Sequence, residues 1–228
     1  MKTVLITGGS GGIGEALVNI YAKNGYKVVS VDIVAAPSPV DGVSYHIADV
    51  ASPEAMRAVA QNYDKIDILI NNAAVQYIAP IFEQTNEEIK RVLDVNVFGV
   101  INTVRAFKGK LGGGIVVNIG SIHSSVPRVN KIPYDMSKAA LSVFTKELAL
   151  ELSGDGTRSI CVEFGAVKTP MNGNFEDETE KNAALEKQVT RHMTSADECA
   201  EVVFALTKEP FSIANGSSFV VDCGRSLT

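Results

Sequence analysis

Apolar positions along the chain fall into short β-branched runs, separated by longer stretches of helical periodicity. The runs are Val4–Ile6, Val28–Val31, Val43–Ile47, Ile66–Ile70, Ile115–Ile119, Ser159–Phe164 and Ser218–Val221. Each is short and most are rich in valine and isoleucine, which predicts strands. The stretches Ile13–Lys23, Pro53–Asn62, Glu87–Phe107, Tyr134–Leu152 and Ala196–Leu206 predict helices. Nearly continuous apolar strands are those of a parallel sheet buried on both faces. Alternation with helices implies right-handed crossovers, hence an α/β protein with a doubly wound, seven-stranded parallel sheet and helices on both faces. Pro37-Ser38-Pro39 reads as a local loop. No repeat, low-complexity tract or long linker is visible, so one domain over 1–228 is expected. The acidic run Glu176–Glu180 falls in the least regular stretch and reads as a solvated face.

The composition agrees with a globular chain: 228 residues, 46 % hydrophobic and 21 % charged. The net charge of −5 lacks the basic excess of a nucleic-acid binder. No run of about 18 apolar residues is present, so no membrane-spanning helix is expected. The apolar part of the N-terminus is too short for a signal peptide. Cys161, Cys199 and Cys223 are odd in number and lack metal-ligand spacing, which points to free thiols, no metal site and a cytoplasmic location.

The first chemical signal is Thr7-Gly8-Gly9-Ser10-Gly11-Gly12-Ile13-Gly14, between the first strand and the first helix. A glycine-rich turn also serves as a plain bend. Placed before a helix N-terminus, however, it lets a pyrophosphate approach free backbone N–H groups. Gly8, Ser10, Gly11, Gly12, Ile13 and Gly14 are therefore expected to hold a dinucleotide. Asp32 ends the second strand, 18 residues beyond Gly14. A carboxylate there accepts hydrogen bonds from the adenosine ribose and repels a 2′-phosphate. Ser10, Gly11 and Ile33 supply no cation, so the expected cofactor is NAD.

The second signal is Ser121 at the end of the fifth strand, followed by Tyr134 and Lys138 at i and i+4 of a helix. A free tyrosine has a pKa of about 10, and bringing it to about 7 requires roughly 4 kcal/mol. One cation about 4 Å away, at an effective dielectric near 20, supplies about that much. Lys138 is expected to be that cation, with an oxidised nicotinamide adding a second, and Tyr134 the acid–base. Ser121 sits where open α/β sheets bind ligands.

With these motifs in order, the chain resembles the short-chain dehydrogenase/reductase family over nearly its whole length. The resemblance implies a Rossmann fold and further roles. Asp49 and Val50 match the adenine-contacting pair. Asn71-Asn72-Ala73-Ala74 match the segment after the fourth strand, of which Asn72, Ala73 and Ala74 are cofactor residues. Asn96 matches the catalytic asparagine, expected to hold a water linking Lys138 to solvent. Ser121, Tyr134 and Lys138 match the catalytic serine, tyrosine and lysine, the last two also touching the cofactor. Thr169 matches the threonine near the nicotinamide carboxamide, and Val167 is placed with it. The segment of about 170–195 matches the substrate lid.

Three positions depart from the family pattern: Ala74 for glycine, Phe164 for proline, and Cys223 within Asp222-Cys223-Gly224. They bear on substrate identity rather than reaction class. The substrate contacts are expected from Gln76, Ser121, His123, Phe164 and Met171, compatible with a sugar, a hydroxy acid, a ring alcohol or a small ketone. Three functions follow: an NAD-dependent alcohol dehydrogenase or carbonyl reductase, an NADPH-dependent 3-oxoacyl reductase, and a non-catalytic dinucleotide sensor or scaffold. Extra apolar surface on Glu87–Phe107 and Tyr134–Leu152 implies burial against other subunits, and a homotetramer is expected, then a dimer.

Overall fold

The computed structural model describes residues 1–208 and 211–228. Its strands are β1 (Thr3–Thr7), β2 (Lys27–Asp32), β3 (Ser44–Ile47), β4 (Ile68–Asn71), β5 (Ile115–Ser121), β6 (Arg158–Phe164), β7 (Val167–Lys168), β8 (Thr194–Ser195) and β9 (Ser218–Val221). The helices are α1 (Gly12–Lys23), α2 (Pro53–Ala60), α3 (Asn86–Leu93), α4 (Gly99–Phe107), α5 (Ile132–Glu151), α6 (Glu178–Glu186) and α7 (Ala196–Leu206). Seven strands form one parallel sheet in the order β3-β2-β1-β4-β5-β6-β9. The order reverses between β1 and β4, so the connections leaving them run to opposite faces and a crevice opens outside their carboxyl ends.

Side chains alternate along β1. Val4 and Ile6 pack with Leu17 and Tyr21 of α1 and Val203 and Phe204 of α7. Leu5 faces the opposite side, with Met56 and Val59 of α2, Val104 and Phe107 of α4, and Leu148 of α5. Both faces are covered, which is why the strands read as uninterrupted apolar runs. Each such side chain contributes about 1.5–3 kcal/mol on burial. Tyr21 is fully buried because its hydroxyl finds Thr207 Oγ1 at 2.8 Å.

The structure corrects the expected elements in three places. Glu87–Phe107 is not one helix: α3 and α4 are separated by a π-helical turn, Asp94–Phe98. That turn carries Asn96 inward, where its amide is bonded by neighbouring segments. The acidic stretch is partly regular, since α6 starts at Glu178. The two short strands β7 and β8, missed in the sequence, pair in parallel and clamp the two ends of the intervening segment.

Candidate active site

The helices differ in how their N-termini are closed. Ser52 caps α2, and capping boxes close α3 (Thr85, Glu88) and α7 (Ser195, Glu198). The N-cap of α1, Gly11, makes no side-chain bond, as at α4 and α5, so the first-turn N–H groups beside the glycine loop are left for a ligand. Nothing lies within 4 Å of a side chain built at Gly11. Gly8 has φ +68°, and a Cβ there would stand 2.8 Å from the Ala73 Cα. Asn72 fixes this loop to the end of β4: its Nδ2 donates to Thr7 O and Gly8 O at 3.1 and 2.9 Å.

The loop opens into a cleft of about 380 Å³ that runs along the carboxyl ends of the strands. Gly8, Ser10, Gly11, Gly12, Ile13, Asp32, Asp49, Val50, Asn72, Ala73 and Ala74 line one end, and Ser121, Tyr134, Lys138, Phe164, Val167, Thr169 and Met171 the other. Asp32 Oδ2 accepts the Ser10 N–H at 2.9 Å and Oδ1 the Ile33 N–H at 2.7 Å. These bonds aim the carboxylate and leave lone pairs for ribose hydroxyls. Asp49 accepts from Ala51 N at 2.9 Å and pairs with Arg91 at 2.8 Å. Arg91, which also lines the cleft, was not singled out in the sequence; nothing local marks a surface arginine of α3 as a partner of Asp49. An uncapped helix, an open glycine loop and a ribose-directed carboxylate fit a dinucleotide.

Four expected site residues stand outside the cleft lining. Gly14 is packed instead: a Cβ would come within 1.8 Å of Gly8 O, so only glycine lets α1 lie against the loop. The Asn96 side chain is occupied, its Oδ1 accepting from Val75 N at 2.8 Å and its Nδ2 donating to Val75 O and Ser137 Oγ. It therefore holds the strand-end loop against α5. Gln76 and His123 lie behind the lining. Gln76 Nε2 donates to Met171 O, and His123 is bonded through Nδ1 to Val126 O, both at 2.8 Å.

Ser121, Tyr134 and Lys138 meet on β5 and α5. The Ser121 hydroxyl accepts the His123 N–H at 3.2 Å and works to lower the pKa of the neighbouring Tyr134 phenol. Lys138 Nζ donates to Ile119 O at 2.7 Å, 5.6 Å from the centre of the Tyr134 ring. Burial pushes the Tyr134 phenol up to about 12, opposed by the Ser121 hydroxyl. Burial also pushes Lys138 down to about 8. The expected lowering of Tyr134 by Lys138 alone is thus not what this arrangement gives. At this separation desolvation of the phenolate outweighs the attraction. A protonated Tyr134 suits proton donation, and phenolate formation needs further positive charge beside it.

Comparisons with known proteins agree with this geometry. A sequence model described as short chain dehydrogenase matches residues 2–180. The chain is 32 % identical to "Dehydrogenase/reductase SDR family member 4" of Oryctolagus cuniculus, covering 98 % of this chain and 93 % of the relative. It is 30 % identical to "3beta-hydroxysteroid dehydrogenase 1" of Eggerthella lenta, covering 99 % and 94 %. The solved 3-ketoacyl-(acyl-carrier-protein) reductase of Brucella melitensis, complexed with NADH, superimposes with a TM-score of 0.91 at 28 % identity, covering 99 % and 98 %. The chain belongs to the short-chain dehydrogenase/reductase family of oxidoreductases, whose members bind a nicotinamide dinucleotide.

Proposed function

We propose that this short-chain dehydrogenase is an NAD(H)-dependent oxidoreductase that interconverts a secondary alcohol and a ketone, with Tyr134 as the acid–base. The observation that carries the reading is Ser121, Tyr134 and Lys138 lining one cleft, with the Lys138 ammonium 5.6 Å from the centre of the Tyr134 ring. The bound nicotinamide supplies the hydride acceptor or donor. Ser121 holds the substrate oxygen, and Tyr134 gives it a proton during reduction or removes one during oxidation. Lys138 would hold the nicotinamide ribose and stabilise negative charge on the phenol. Val167 and Thr169 would meet the carboxamide, and Asp49 with Val50 the adenine. Asn96 acts by positioning Val75 and α5.

Asp32 supports NAD over NADP, because its carboxylate is fixed where a 2′-phosphate would be repelled. Arg91 and Lys138, the cations that line the cleft, are bonded to Asp49 and Ile119. The second reading, an NADPH-dependent 3-oxoacyl reductase, uses the same catalytic residues and meets this obstacle. The segment between β7 and β8 serves as the substrate lid. Phe98, Val143 and Leu150 expose 54, 59 and 71 % of their surface on the π turn, α5 and α5, which supports burial between subunits of a homotetramer. Val100, Val104, Phe107, Leu141 and Leu148 are buried within the subunit instead and add nothing to such a contact. The described helices include none long and apolar enough to cross a membrane. The three free cysteines support a reducing, cytoplasmic setting.

The test is a panel of alcohols and ketones with NAD(H) and NADP(H), followed at the reduced nicotinamide absorbance band. Turnover with NAD(H) is expected. Preference for NADPH overturns the cofactor assignment, and dinucleotide binding without turnover of any compound restores the sensor reading.

A further inference from the structure

Beside Tyr134 stands a second lysine that the reaction chemistry does not use. Lys131 lies three residues before Tyr134, just ahead of α5, and is only 3 % exposed. Its Nζ is 5.5 Å from the centre of the Tyr134 ring. It donates to Gln76 Oε1 at 2.8 Å. An ammonium has three N–H donors, and Gln76 is its one hydrogen-bond acceptor among the described residues. No described carboxylate forms an ion pair with it. Asp135, which attracts it at longer range, accepts the Arg128 N–H through Oδ2.

Burying a cation without a counter-ion is unfavourable, so the site favours an anion. The same Gln76 side chain donates to the carbonyl of Met171, which lines the cleft. It is therefore a strut between the lysine and Met171 at the wall of the cleft. Lys138 is already bonded to Ile119 O. A sugar, ring alcohol or plain ketone would leave the Lys131 charge unmatched.

We propose that Lys131 is a specificity-determining residue for a substrate carrying a carboxylate a few bonds from the reacting carbon, a short hydroxy acid or oxo acid, with Gln76 positioning the ammonium. The proposal rests on the reading of Tyr134 as acid–base. The carboxylate is bound and not transformed: oxidation sends the carbinol hydride to the nicotinamide and the hydroxyl proton to Tyr134.

The experiment has two arms. In the first, lactate, 3-hydroxybutyrate and 4-hydroxypentanoate are compared with their methyl esters as substrates. In the second, butyrate and butyramide, unreactive and one charge apart, are titrated calorimetrically into the NADH-saturated protein. At least one acid should exceed its ester in kcat/KM, and butyrate should bind more tightly than butyramide, each by about 10–100-fold, as for one hydrogen bond to a charged group. Lys131→Met should abolish both differences. Gln76→Glu, which places a carboxylate against the ammonium and keeps the side-chain shape, should do the same if Lys131→Met proves unstable. Turnover of esters with no preference for acids, or equal binding of butyrate and butyramide, overturns the proposal while the oxidoreductase reading stands. Lys131-dependent binding of butyrate without turnover of any compound keeps the anion site and overturns the catalytic reading.

Discussion

The two ends of the cleft are built differently. At the glycine-loop end the contacts come from main chain: Gly8 and Gly14 approach backbone atoms too closely for any Cβ, Asp32 accepts backbone N–H groups, and α1 offers its own. At the Tyr134 end the contacts are side-chain struts between distant segments. Gln76 joins Met171 and Lys131, and Thr169 lies against Gly12. A backbone cradle has few tolerated sequences and one ligand shape. Side-chain struts allow exchange of one residue at a time, so the same scaffold accepts different substrates. The dinucleotide end should therefore be intolerant of substitution, and the substrate end graded.

The largest effect is expected at Tyr134 itself. Tyr134→Phe removes the phenol hydroxyl and leaves the ring, so fold and NADH affinity should persist. Turnover should fall at least about 10²-fold, as for a lost general acid–base. Steady-state kinetics with NADH titrated by fluorescence reads both. The pH dependence has a definite sign. Because burial raises the phenol to about 12, the protonated form predominates at neutral pH. Ketone reduction should be flat through neutral pH, while alcohol oxidation, which needs the phenolate, should rise with pH. An oxidation rate that falls from pH 7 to 9 would remove Tyr134 from the role.

Gly14→Ala comes next and addresses the glycine-loop end alone. The added Cβ would sit 1.8 Å from Gly8 O, so the helix must move. Overpacking of this kind costs about 1–3 kcal/mol. NADH binding should weaken with it, since the displaced atoms are the cradle. Thermal unfolding and NADH titration would check both; a normal affinity would show that the cradle is not the binding element.

What the sequence revealed follows the same division. Asp32, the glycine loop and the Ser121, Tyr134 and Lys138 set were legible because backbone geometry and helix spacing dictate them locally. Seven strands were placed because two covered faces force continuous apolar runs. The break at Asp94–Phe98 was hidden, since a π turn adds one residue without interrupting the apolar pattern. The Arg91–Asp49 pair and the Gln76 bridge span 42 and 95 positions, and no local rule links residues that far apart. Lys131 lies three residues before Tyr134 but ahead of the helix, so the i, i+4 spacing that singled out Lys138 did not reach it.

Asp32→Ala should have an intermediate effect. It removes a carboxylate that orients the loop and would bind the ribose, so NADH affinity should drop about 10–100-fold, typical of bonds to a charged group. NADPH should lose less, because the repulsion of its 2′-phosphate disappears with the charge. The ratio of the two dissociation constants is the measurement. An unchanged ratio would mean that Asp32 serves only the loop, and that cofactor choice is set elsewhere.

The smallest effect is expected at His123, and it tests the graded end most finely. The resemblance places this residue in the substrate pocket, yet its ring lies behind the lining, with Nδ1 donating to Val126 O. Burial holds its pKa below the usual histidine value, so the ring is neutral at pH 7 and brings no charge to a substrate. Its main-chain N–H, which bonds Ser121 Oγ, is unaffected by side-chain substitution. His123→Ala should thus cost one neutral hydrogen bond, about 1 kcal/mol of stability. Turnover should change less than about fivefold, with KM for the preferred substrate nearly constant. A loss of 10²-fold or more, or a new pH dependence between 5 and 8 in the wild type that vanishes in the variant, would show His123 acting on the substrate. The substrate end would then be built as strictly as the dinucleotide end, and the contrast between them would fail.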